Sequence, residues 1–334
     1  MTSKERFMAV IKGEQPDRTP VFPLLMGFAA SRHGLKYSEF ASNGTAMAEA
    51  QLRAAECFSL DAITACSDAF RICADLGAQL IFHDDKPPHA PEPLVRTAED
   101  FKALKRPDVS NKKGRMYDRA KAVSEMVQAA GNKLMVLGWV DMPFAEACSV
   151  CGVQDFMFML YDEPDLAKEL LAFLTDIVID FSLLQLEMGA PMIGAGDAAA
   201  SLLSPELYRE FALPFETVVC RAIHDKGGLV KLHICGNTSQ LLDDMVSCGA
   251  DLYNVDHMVD FRTAMQTYTA AGRSFKGNLN PVSDIFQSKP EEIYNKARAL
   301  VQAAGGKKYM LSAGCEIPTT TSDENFMAFC RAAR

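Results

Sequence analysis

Short apolar runs alternate with longer helical patterns along the whole chain, and this alternation constrains the fold more than any other feature. Eight runs follow one another: PVFPLL (20–25), DAITAC (61–66), KLMVLGW (133–139), APMIGAG (190–196), LVKLHIC (229–235), DLYNVD (251–256), RSFKGNLN (273–280) and KKYMLSAGC (307–315). Strands read as near-continuous apolar runs when helices cover both faces of a sheet. The sequence therefore predicts an α/β fold with a parallel sheet.

The number of β/α units favours a (β/α)8 TIM barrel, which needs about 250 residues plus insertions. An open, doubly wound sheet is the competing architecture. Polar residues at or just past the predicted strand ends favour the barrel, because such ends converge on one mouth there. They are Asp68, Asp197, His233, Cys235, Asp256, Asn278, Asn280, Cys315 and Glu316. We expect a single barrel domain over residues 1–334, with an N-terminal helical extension formed by an amphipathic helix.

Helix signals fill the stretches between the apolar runs. In the segment 204–228, Ser204 is a predicted N-cap, Pro205 occupies the first helical position, and two glycines end the pattern. Pro214 lies inside this segment and is expected to bend the helix or to split it in two.

Charge and composition exclude several classes of partner. The net charge is -9 and the isoelectric point is about 5.3, so there is no basic surplus for nucleic acid or anionic membranes. No apolar run is long enough to span a bilayer, and the N-terminus lacks the apolar segment of a secretion signal. Ten scattered cysteines are not the framework of a small secreted fold. We expect a soluble, cytoplasmic protein that meets small molecules or another protein.

Three of the predicted strand-end residues form a possible metal site. His233 and Cys235 end one strand, and Cys315 ends the last one. An imidazole with two thiolates is a soft ligand set that suits zinc, and three protein ligands leave a fourth position open, as in catalytic zinc sites. The alternative is that these cysteines are buried, reduced, small hydrophobic residues. Sequence spacing alone does not separate the two interpretations.

Several longer segments resemble one family from end to end. They are KERFMAVIKGEQPDRTPV (4–21), ACSDAF (65–70), LGWVDMPFAEACSVCG (137–152), GAPMIGAGDAAASLLSPELYREFALPF (189–215), GNLNP (277–281) and SAGCEIPTTTSDENF (312–326). The chain resembles the uroporphyrinogen decarboxylase superfamily. Within it, the chain is similar to the branch of zinc-dependent, corrinoid-linked methyltransferases that includes methylcobalamin:coenzyme M methyltransferases.

Two departures from the decarboxylases favour this branch. The decarboxylases carry an Arg-Gln-Ala-Gly-Arg clamp for an acidic tetrapyrrole, whereas LMGFAASRHG (25–34) contains only Arg32. The decarboxylases also have Gly-His-Gly where this chain has Gly314, Cys315 and Glu316. The resemblance thus implies a zinc ion on His233, Cys235 and Cys315, and transfer of a methyl group between a corrinoid and a small thiol or methoxylated substrate.

The resemblance also bears on partners. The chain has no Asp-x-His-x-x-Gly cobalamin-binding signature. The corrinoid is therefore expected to arrive on a separate corrinoid protein that docks over the barrel mouth.

The carboxylates at the mouth have several open roles. Asp197 and Asp256 are candidates to complete the zinc shell, orient His233 or bind substrate, because ligating histidines usually donate their second N–H to a carboxylate or carbonyl. Glu316 is a candidate for the open zinc position. Asp68 matches the position of the decarboxylases' catalytic aspartate. Because Asp68 is retained, an alternative function stays open. In this alternative the chain is a metal-free decarboxylase or lyase that acts on a smaller acid.

Three further side-chain sets receive structural interpretations. Asn278 and Asn280 are expected to cap the following turn. His257 follows Asp256 and is expected on the opposite face of a regular strand. The pair Cys148 and Cys151 has CxxC spacing but no second pair, so buried packing is the better interpretation.

Overall fold

Seven parallel strands form one sheet in the computed structural model, which describes residues 1–306 and 308–334. They are β1 (Ala62–Thr64), β2 (Met135–Asp141), β3 (Met192–Gly196), β4 (Leu229–His233), β5 (Leu252–Asn254), β6 (Ser274–Leu279) and β7 (Tyr309–Ala313). Strands that follow one another in the chain are neighbours in the sheet, from β1 to β7. Lys307, the first residue of the last predicted strand, lies outside the described residues. The parallel α/β prediction is confirmed.

The first predicted strand, residues 20–25, is an extended segment with isolated bridges and not a regular strand. The Phe22 N–H donates to the Leu311 carbonyl on β7 (3.0 Å). On the other side, the Asp61 N–H ahead of β1 donates to the Val21 carbonyl (2.9 Å). The two prolines of the segment have no N–H for a ladder, which explains why a regular strand does not form. The segment lies between the two edge strands, so the sheet is TIM-barrel-like.

Helices cover the outer side of the sheet. The α-helices are α1 (Ser3–Lys12), α2 (Gly27–Arg32), α3 (Tyr37–Ser42), α4 (Gly44–Phe58), α5 (Arg71–Asp75), α6 (Ala98–Ala103), α7 (Arg115–Ala130), α8 (Pro143–Cys151), α9 (Val153–Asp162), α10 (Pro164–Glu187), α11 (Pro205–Phe211), α12 (Leu213–Asp225), α13 (Leu242–Ser247), α14 (Phe261–Ala270), α15 (Pro290–Ala304) and α16 (Asp323–Arg331). A 3-10 helix (Ala198–Leu202) follows β3, and a π-helix (Pro281–Phe286) follows β6. No described helix is long and apolar enough to cross a membrane.

Local signals explain several helix boundaries. The Ser204 side chain accepts a hydrogen bond from the Leu207 N–H (3.3 Å), as an N-cap does. The predicted helix that contains Pro214 is split into α11 and α12. Cys148 and Cys151 are both buried in α8, which agrees with the packing interpretation of this CxxC pair.

The N-terminal helix α1 packs against the bottom of the sheet. Phe7 and Val10 of this helix are buried together with Met135, Met192 and Met310, which project from three different strands. The Thr2 side chain and Glu5 form a capping box at the start of the helix. This apolar cluster, the bottom plug, fills the end of the barrel interior where the strands begin. The polar side chains that could bind a ligand lie at the opposite end.

Side chains alternate between the barrel interior and the helix layer along β4. Val230 and Leu232 pack in the outer core against the helices, whereas Leu229 packs with the bottom plug. Because side chains repeat every two residues along a strand, Lys231 and His233 share the inward face with Leu229. These three inward side chains extend from the bottom plug to the mouth, which lies at the carboxyl ends of the strands.

Candidate metal centre

His233, Cys235 and Cys315 come together at the carboxyl ends of β4 and β7. The His233 Nε2 lies 2.9 Å from the Cys235 Sγ, and the two sulfur atoms are 3.5 Å apart. The three potential ligand atoms lie within 4.8 Å of one another, in the one cluster of this kind that the described part of the chain contains. His233 is 3% exposed, and both cysteines are half-buried.

The three ligand atoms lie close enough together to surround one zinc ion. Zinc–sulfur bonds of about 2.3 Å and zinc–nitrogen bonds of about 2.1 Å in a tetrahedral site place neighbouring ligand atoms about 3.6–3.8 Å apart. The observed sulfur–sulfur distance of 3.5 Å and nitrogen–sulfur distance of 2.9 Å are both shorter, as in hydrogen bonds, so the side chains would move slightly apart around an ion. The donor set is also of the soft kind that selects zinc over hard cations. His233 and the two cysteines would therefore hold the ion, with one position left for an external ligand.

Two glycines allow the loops to bring these ligands together. Gly236, directly after Cys235, has a φ of +92°, a left-handed conformation that side chains rarely adopt. A Cβ atom on Gly314 would lie 2.4 Å from the backbone nitrogen of His257. Only glycine permits this close approach, which places Cys315 beside the loop after β5.

Neighbouring groups polarise the two thiols. The hydrogen bond between them lowers the pKa of Cys315 and raises the pKa of Cys235. His233 adds to the shift at Cys315. Burial lowers the pKa of Lys231 to about 8, while Cys66, Cys235 and Cys315 act in the opposite direction. Of the two thiols, Cys315 therefore loses its proton more readily than Cys235.

The second imidazole nitrogen of His233 faces a carbonyl and not a carboxylate. Its Nδ1 lies 3.4 Å from the Asn254 carbonyl oxygen. With Nε2 directed to the sulfur atoms, this contact is consistent with the tautomer that carries the proton on Nδ1. The carbonyl therefore occupies the orienting position for which Asp197 and Asp256 were candidates.

Asp256 lies at the mouth and is paired with its neighbour. Its Oδ1 accepts a hydrogen bond from the Met258 N–H (3.0 Å) and lies 2.9 Å from the His257 Nδ1. Asp256 is 4% exposed, and it acts electrostatically on Cys235. His257 was expected on the opposite face from Asp256, yet its ring contacts the Asp256 carboxylate directly.

The Glu316 carboxyl group is held by the start of α2. Its Oε1 accepts a hydrogen bond from the Gly27 N–H (2.9 Å). Burial raises the pKa of Glu316 to about 7, and the neighbouring Cys315 contributes to this shift. Its oxygen atoms are not part of the compact ligand cluster of the described residues. Glu316 thus lies beside the centre.

Asp68 forms a bidentate ion pair with Arg115. The charge of its carboxylate is therefore already balanced within the protein, without a substrate. Both contacts measure 2.8 Å, and the same carboxylate accepts from the Ser67 hydroxyl (2.6 Å) and the Phe70 N–H (2.9 Å). Burial alone would raise the pKa of Asp68, but the guanidinium of Arg115 outweighs it and lowers the pKa. Arg115 was not anticipated from the sequence.

Asp197 faces the helix layer and not the mouth. It is fully buried, and its Oδ1 accepts from the Ala145 N–H at the start of α8 (2.8 Å). Burial and the neighbouring Glu216 raise the pKa of Asp197 well above its usual range. Its position one residue past Gly196, which faces inward, accounts for this outward direction.

Asn278 near the end of β6 and Asn280 directly after it hold the neighbouring loops. The Asn278 amide donates to the Val259 carbonyl (2.7 Å) and the Asp256 carbonyl (3.2 Å). The Asn280 side chain accepts from the Val282 and Ser283 N–H groups. Asn280 caps the following turn as predicted, whereas Asn278 supports the loop that carries Asp256.

A cavity of about 430 Å³ lies beside the mouth, between the loops after β1, β2 and β3. Its lining is mostly apolar and includes Phe70, Ala145 and Cys148, with Asp141 as a buried carboxylate. Burial raises the pKa of Asp141 to about 6, although the fully buried Arg71 contacts it and opposes the shift. The sequence offered no local signal for this pair.

The comparisons with known proteins identify the family. The sequence profile described as "Uroporphyrinogen decarboxylase (URO-D)" matches residues 2–334. The chain belongs to the uroporphyrinogen decarboxylase family. The family resemblance read from the sequence segments is thereby confirmed.

Curated relatives in this family include both methyltransferases and decarboxylases. The chain is 30% identical to "Methylcobamide:CoM methyltransferase MtbA" of Methanosarcina mazei over 72% of this chain and 69% of the relative. It is 27% identical to a uroporphyrinogen decarboxylase of Coxiella burnetii over 99% of this chain and 94% of the relative.

A solved structure described as a methyltransferase from Methanosarcina mazei has the same fold. Its TM-score is 0.90 at 22% identity, and the match covers 100% of this chain and 98% of that one. A B12-independent methionine synthase from Shewanella sp. W3-18-1 matches with a TM-score of 0.62 at 10% identity, over 94% and 95% of the two chains. At these identities the likeness establishes the TIM-barrel-like fold alone.

Proposed function

We propose that this chain, acting as one domain over residues 1–334, is a zinc-dependent methyltransferase. It moves a methyl group between a corrinoid carried by a partner protein and a small thiol or methoxylated substrate. The single observation that carries the proposal is the cluster of His233, Cys235 and Cys315, whose ligand atoms lie within 4.8 Å of one another. Similarity to methylcobamide:CoM methyltransferases supports the same reaction class.

Each group at the mouth has a part in this proposal. Zinc, when bound, supplies a Lewis acid that holds a thiol as its thiolate or polarises an ether oxygen at neutral pH. His233 is oriented by the Asn254 carbonyl, and the two cysteines complete a three-ligand set. Asp256 with His257 is the carboxylate–imidazole pair available for a proton of the incoming substrate.

The buried carboxylates support the mouth in this proposal. Asp68 is engaged by Arg115 and Asp197 by the N-terminus of α8, so both stabilise the loops that carry the site. Glu316 connects the loop after β7 to α2 through Gly27. None of the three needs to contact the reacting atoms.

The second candidate function is a metal-free decarboxylase or lyase that acts on a smaller acid. It is favoured by the match to a uroporphyrinogen decarboxylase over 99% of the chain. In that reaction Asp68 would act on the substrate. The four hydrogen bonds that already engage its carboxylate argue against this role.

Metal analysis of the purified protein separates the two functions. We expect about one zinc ion per chain in the wild type and its loss in Cys235→Ser and in Cys315→Ser, because each removes a thiolate ligand. Cys57→Ser, at an exposed cysteine outside the cluster, is the matched control and is expected to keep its zinc. A folded, metal-free wild type that is active as a decarboxylase would refute the methyltransferase proposal.

The partner is tested by cofactor analysis. The corrinoid is expected to be absent from the isolated chain and to be used when it is supplied on a corrinoid protein. Cobalamin that copurifies in equal amount with the isolated chain would contradict the proposed division between two proteins.

A further inference from the structure

A lysine lies inside the barrel directly below the candidate metal centre. Lys231 belongs to β4, two residues before His233, and is 1% exposed. Because strand side chains alternate, Lys231, His233 and Cys235 follow one another on the inward side of this strand and the loop that continues it. Lysine is almost never fully buried unless it is paired. Its position therefore calls for an anionic partner.

A second buried lysine in the same interior provides a comparison. Lys276 on β6 is also fully buried, but its ammonium donates to the Phe22 carbonyl (2.6 Å) and lies 3.7 Å from the centre of the Phe22 ring. These contacts engage its ammonium group within the barrel wall, whereas Cys315 is the one thiol that acts electrostatically on it. Lys276 thus has local partners that Lys231 lacks.

The ammonium of Lys231 has a different environment. It lies 4.4 Å from the centre of the Trp139 ring, a cation–π contact. The groups whose negative charge acts on it are the thiols of Cys66, Cys235 and Cys315. Two of these three are the candidate metal ligands.

The charge of the centre indicates what Lys231 compensates. A divalent cation on two thiolates and a neutral imidazole carries no net charge. An anionic fourth ligand makes the centre negative, whereas a neutral ether oxygen leaves it neutral. A positive charge one layer below therefore favours the anionic ligand and does little for the neutral one.

We propose that Lys231 is a specificity-determining residue that favours an anionic fourth ligand, a thiol bound as its thiolate, over a neutral oxygen ligand. The inference rests on the proposed function, because it requires a metal ion on His233, Cys235 and Cys315. It goes further by naming the residue that distinguishes the two substrate classes.

Ligand binding to the cobalt(II)-loaded protein tests this role without any measurement of turnover. The probes are 2-mercaptoethanol, which binds as an anion and releases a proton, and imidazole, which binds as a neutral molecule. Dissociation constants are read from the cobalt absorption bands, and proton release is read with a pH indicator. The variants are Lys231→Met, which removes the charge at similar length, and Lys231→Arg, which keeps it.

Lys231→Met is expected to bind about one cobalt ion per chain, as the wild type does, because the three-ligand centre is neutral. Its dissociation constant for 2-mercaptoethanol should rise about tenfold to fiftyfold, which is the effect of one charge at a separation of about 7 Å, the rise of two residues along a strand, at an effective dielectric constant near 20. Binding of imidazole should change less than about twofold. Lys231→Arg should restore most of the thiol affinity.

Three outcomes would overturn the assignment. Equal weakening of both probes would indicate damage to the site and not selection by charge. An unchanged thiol affinity in Lys231→Met would show that the ammonium has no effect on the fourth ligand. A loss of the same size in Lys276→Met would show that any buried interior charge suffices.

The experiment also distinguishes an error in the proposed metal-dependent function from an error in the role of Lys231. If the wild type binds no cobalt or zinc at all, the proposed function falls and the role of Lys231 falls with it. If the wild type binds metal but discrimination between the probes is the same in Lys231→Met, only the role of Lys231 is overturned.

Discussion

Replacement of Arg115 by methionine is expected to destabilise the protein strongly, because it leaves a buried carboxylate without its counter-charge. The side chain of Asp68 is fully buried, and Arg115 makes two contacts of 2.8 Å with it. Only the Ser67 hydroxyl and the Phe70 N–H remain after the change. Removal of one partner of a buried ion pair costs about 3–5 kcal/mol, and the two surviving hydrogen bonds favour the lower end.

The assay is equilibrium urea unfolding, followed by the fluorescence of Trp139. This residue is the single tryptophan of the chain and is 4% exposed inside the barrel, so its emission reports loss of the packed interior. Lys168→Met is the matched control, because Lys168 pairs with Glu210 at the surface, where both side chains are 42–50% exposed. Such a pair is worth less than about 1 kcal/mol.

The pH dependence provides the second part of the test. In the wild type the pKa of Asp68 is lowered in the folded state, so its contribution is present above pH 4 and is lost as the pH falls below about 3.8. Without Arg115, only Arg71 and the Ser67 hydrogen bond still oppose the effect of burial, so the folded pKa of Asp68 is expected to rise above its ordinary value. The variant then becomes less unstable as the pH falls and the carboxyl group takes up a proton. The difference between the two proteins should shrink between pH 7 and pH 4.5. A loss below about 1 kcal/mol at pH 7, or a difference that does not change with pH, would refute this reasoning.

Two further outcomes are expected from glycines at close approaches. Gly314→Ala would place a Cβ atom 2.4 Å from the backbone nitrogen of His257, so the loop that carries Cys315 must move, and bound zinc measured by metal analysis should fall at least about tenfold. Retention of full zinc would show that the loop tolerates the shift. Gly194→Ala would place a Cβ atom 2.6 Å from the Trp139 ring. The free energy of unfolding, measured in urea, should fall by about 1–3 kcal/mol. An unchanged unfolding midpoint would contradict tight packing at this position.

The pattern of apolar runs was sufficient to predict the class of fold. Seven of the eight predicted strands form the sheet, because a strand covered on both faces must be apolar along most of its length. The exception, residues 20–25, is equally apolar, but its prolines cannot donate to a ladder. The prolines are visible in the sequence, so the irregular backbone of this segment was predictable.

The candidate centre was predictable to the extent that it depends on strand ends. His233, Cys235 and Cys315 were grouped on that basis, and the structure brings their ligand atoms together. The same basis placed Asp197 at the mouth, whereas its carboxylate points into the helix layer. The alternation of side chains along β3 distinguishes the two faces, and this signal was available from the sequence.

The partners of the buried charges could not be read from the sequence. Arg115 is 47 residues from Asp68, and Arg71 is 70 residues from Asp141. Neither pair has a fixed spacing. Asp68 and Arg115 lie far apart in the long connection between β1 and β2, whereas Arg71 in α5 contacts the end of the next strand, β2. The same holds for Lys231, whose burial over Trp139 depends on the closeness of two strands.

By itself, the sequence determined the period of the strands, the kinds of side chain at their ends and the family of the chain, because these properties depend on residues close together in sequence or on the residue types themselves. The tertiary structure decided which of these side chains meet, which carboxylates are already engaged by arginines, and which charge lies below the candidate metal ligands. The physical reason is that an ionisable group is defined by its desolvation and its nearest charges, and both are set by packing between distant segments.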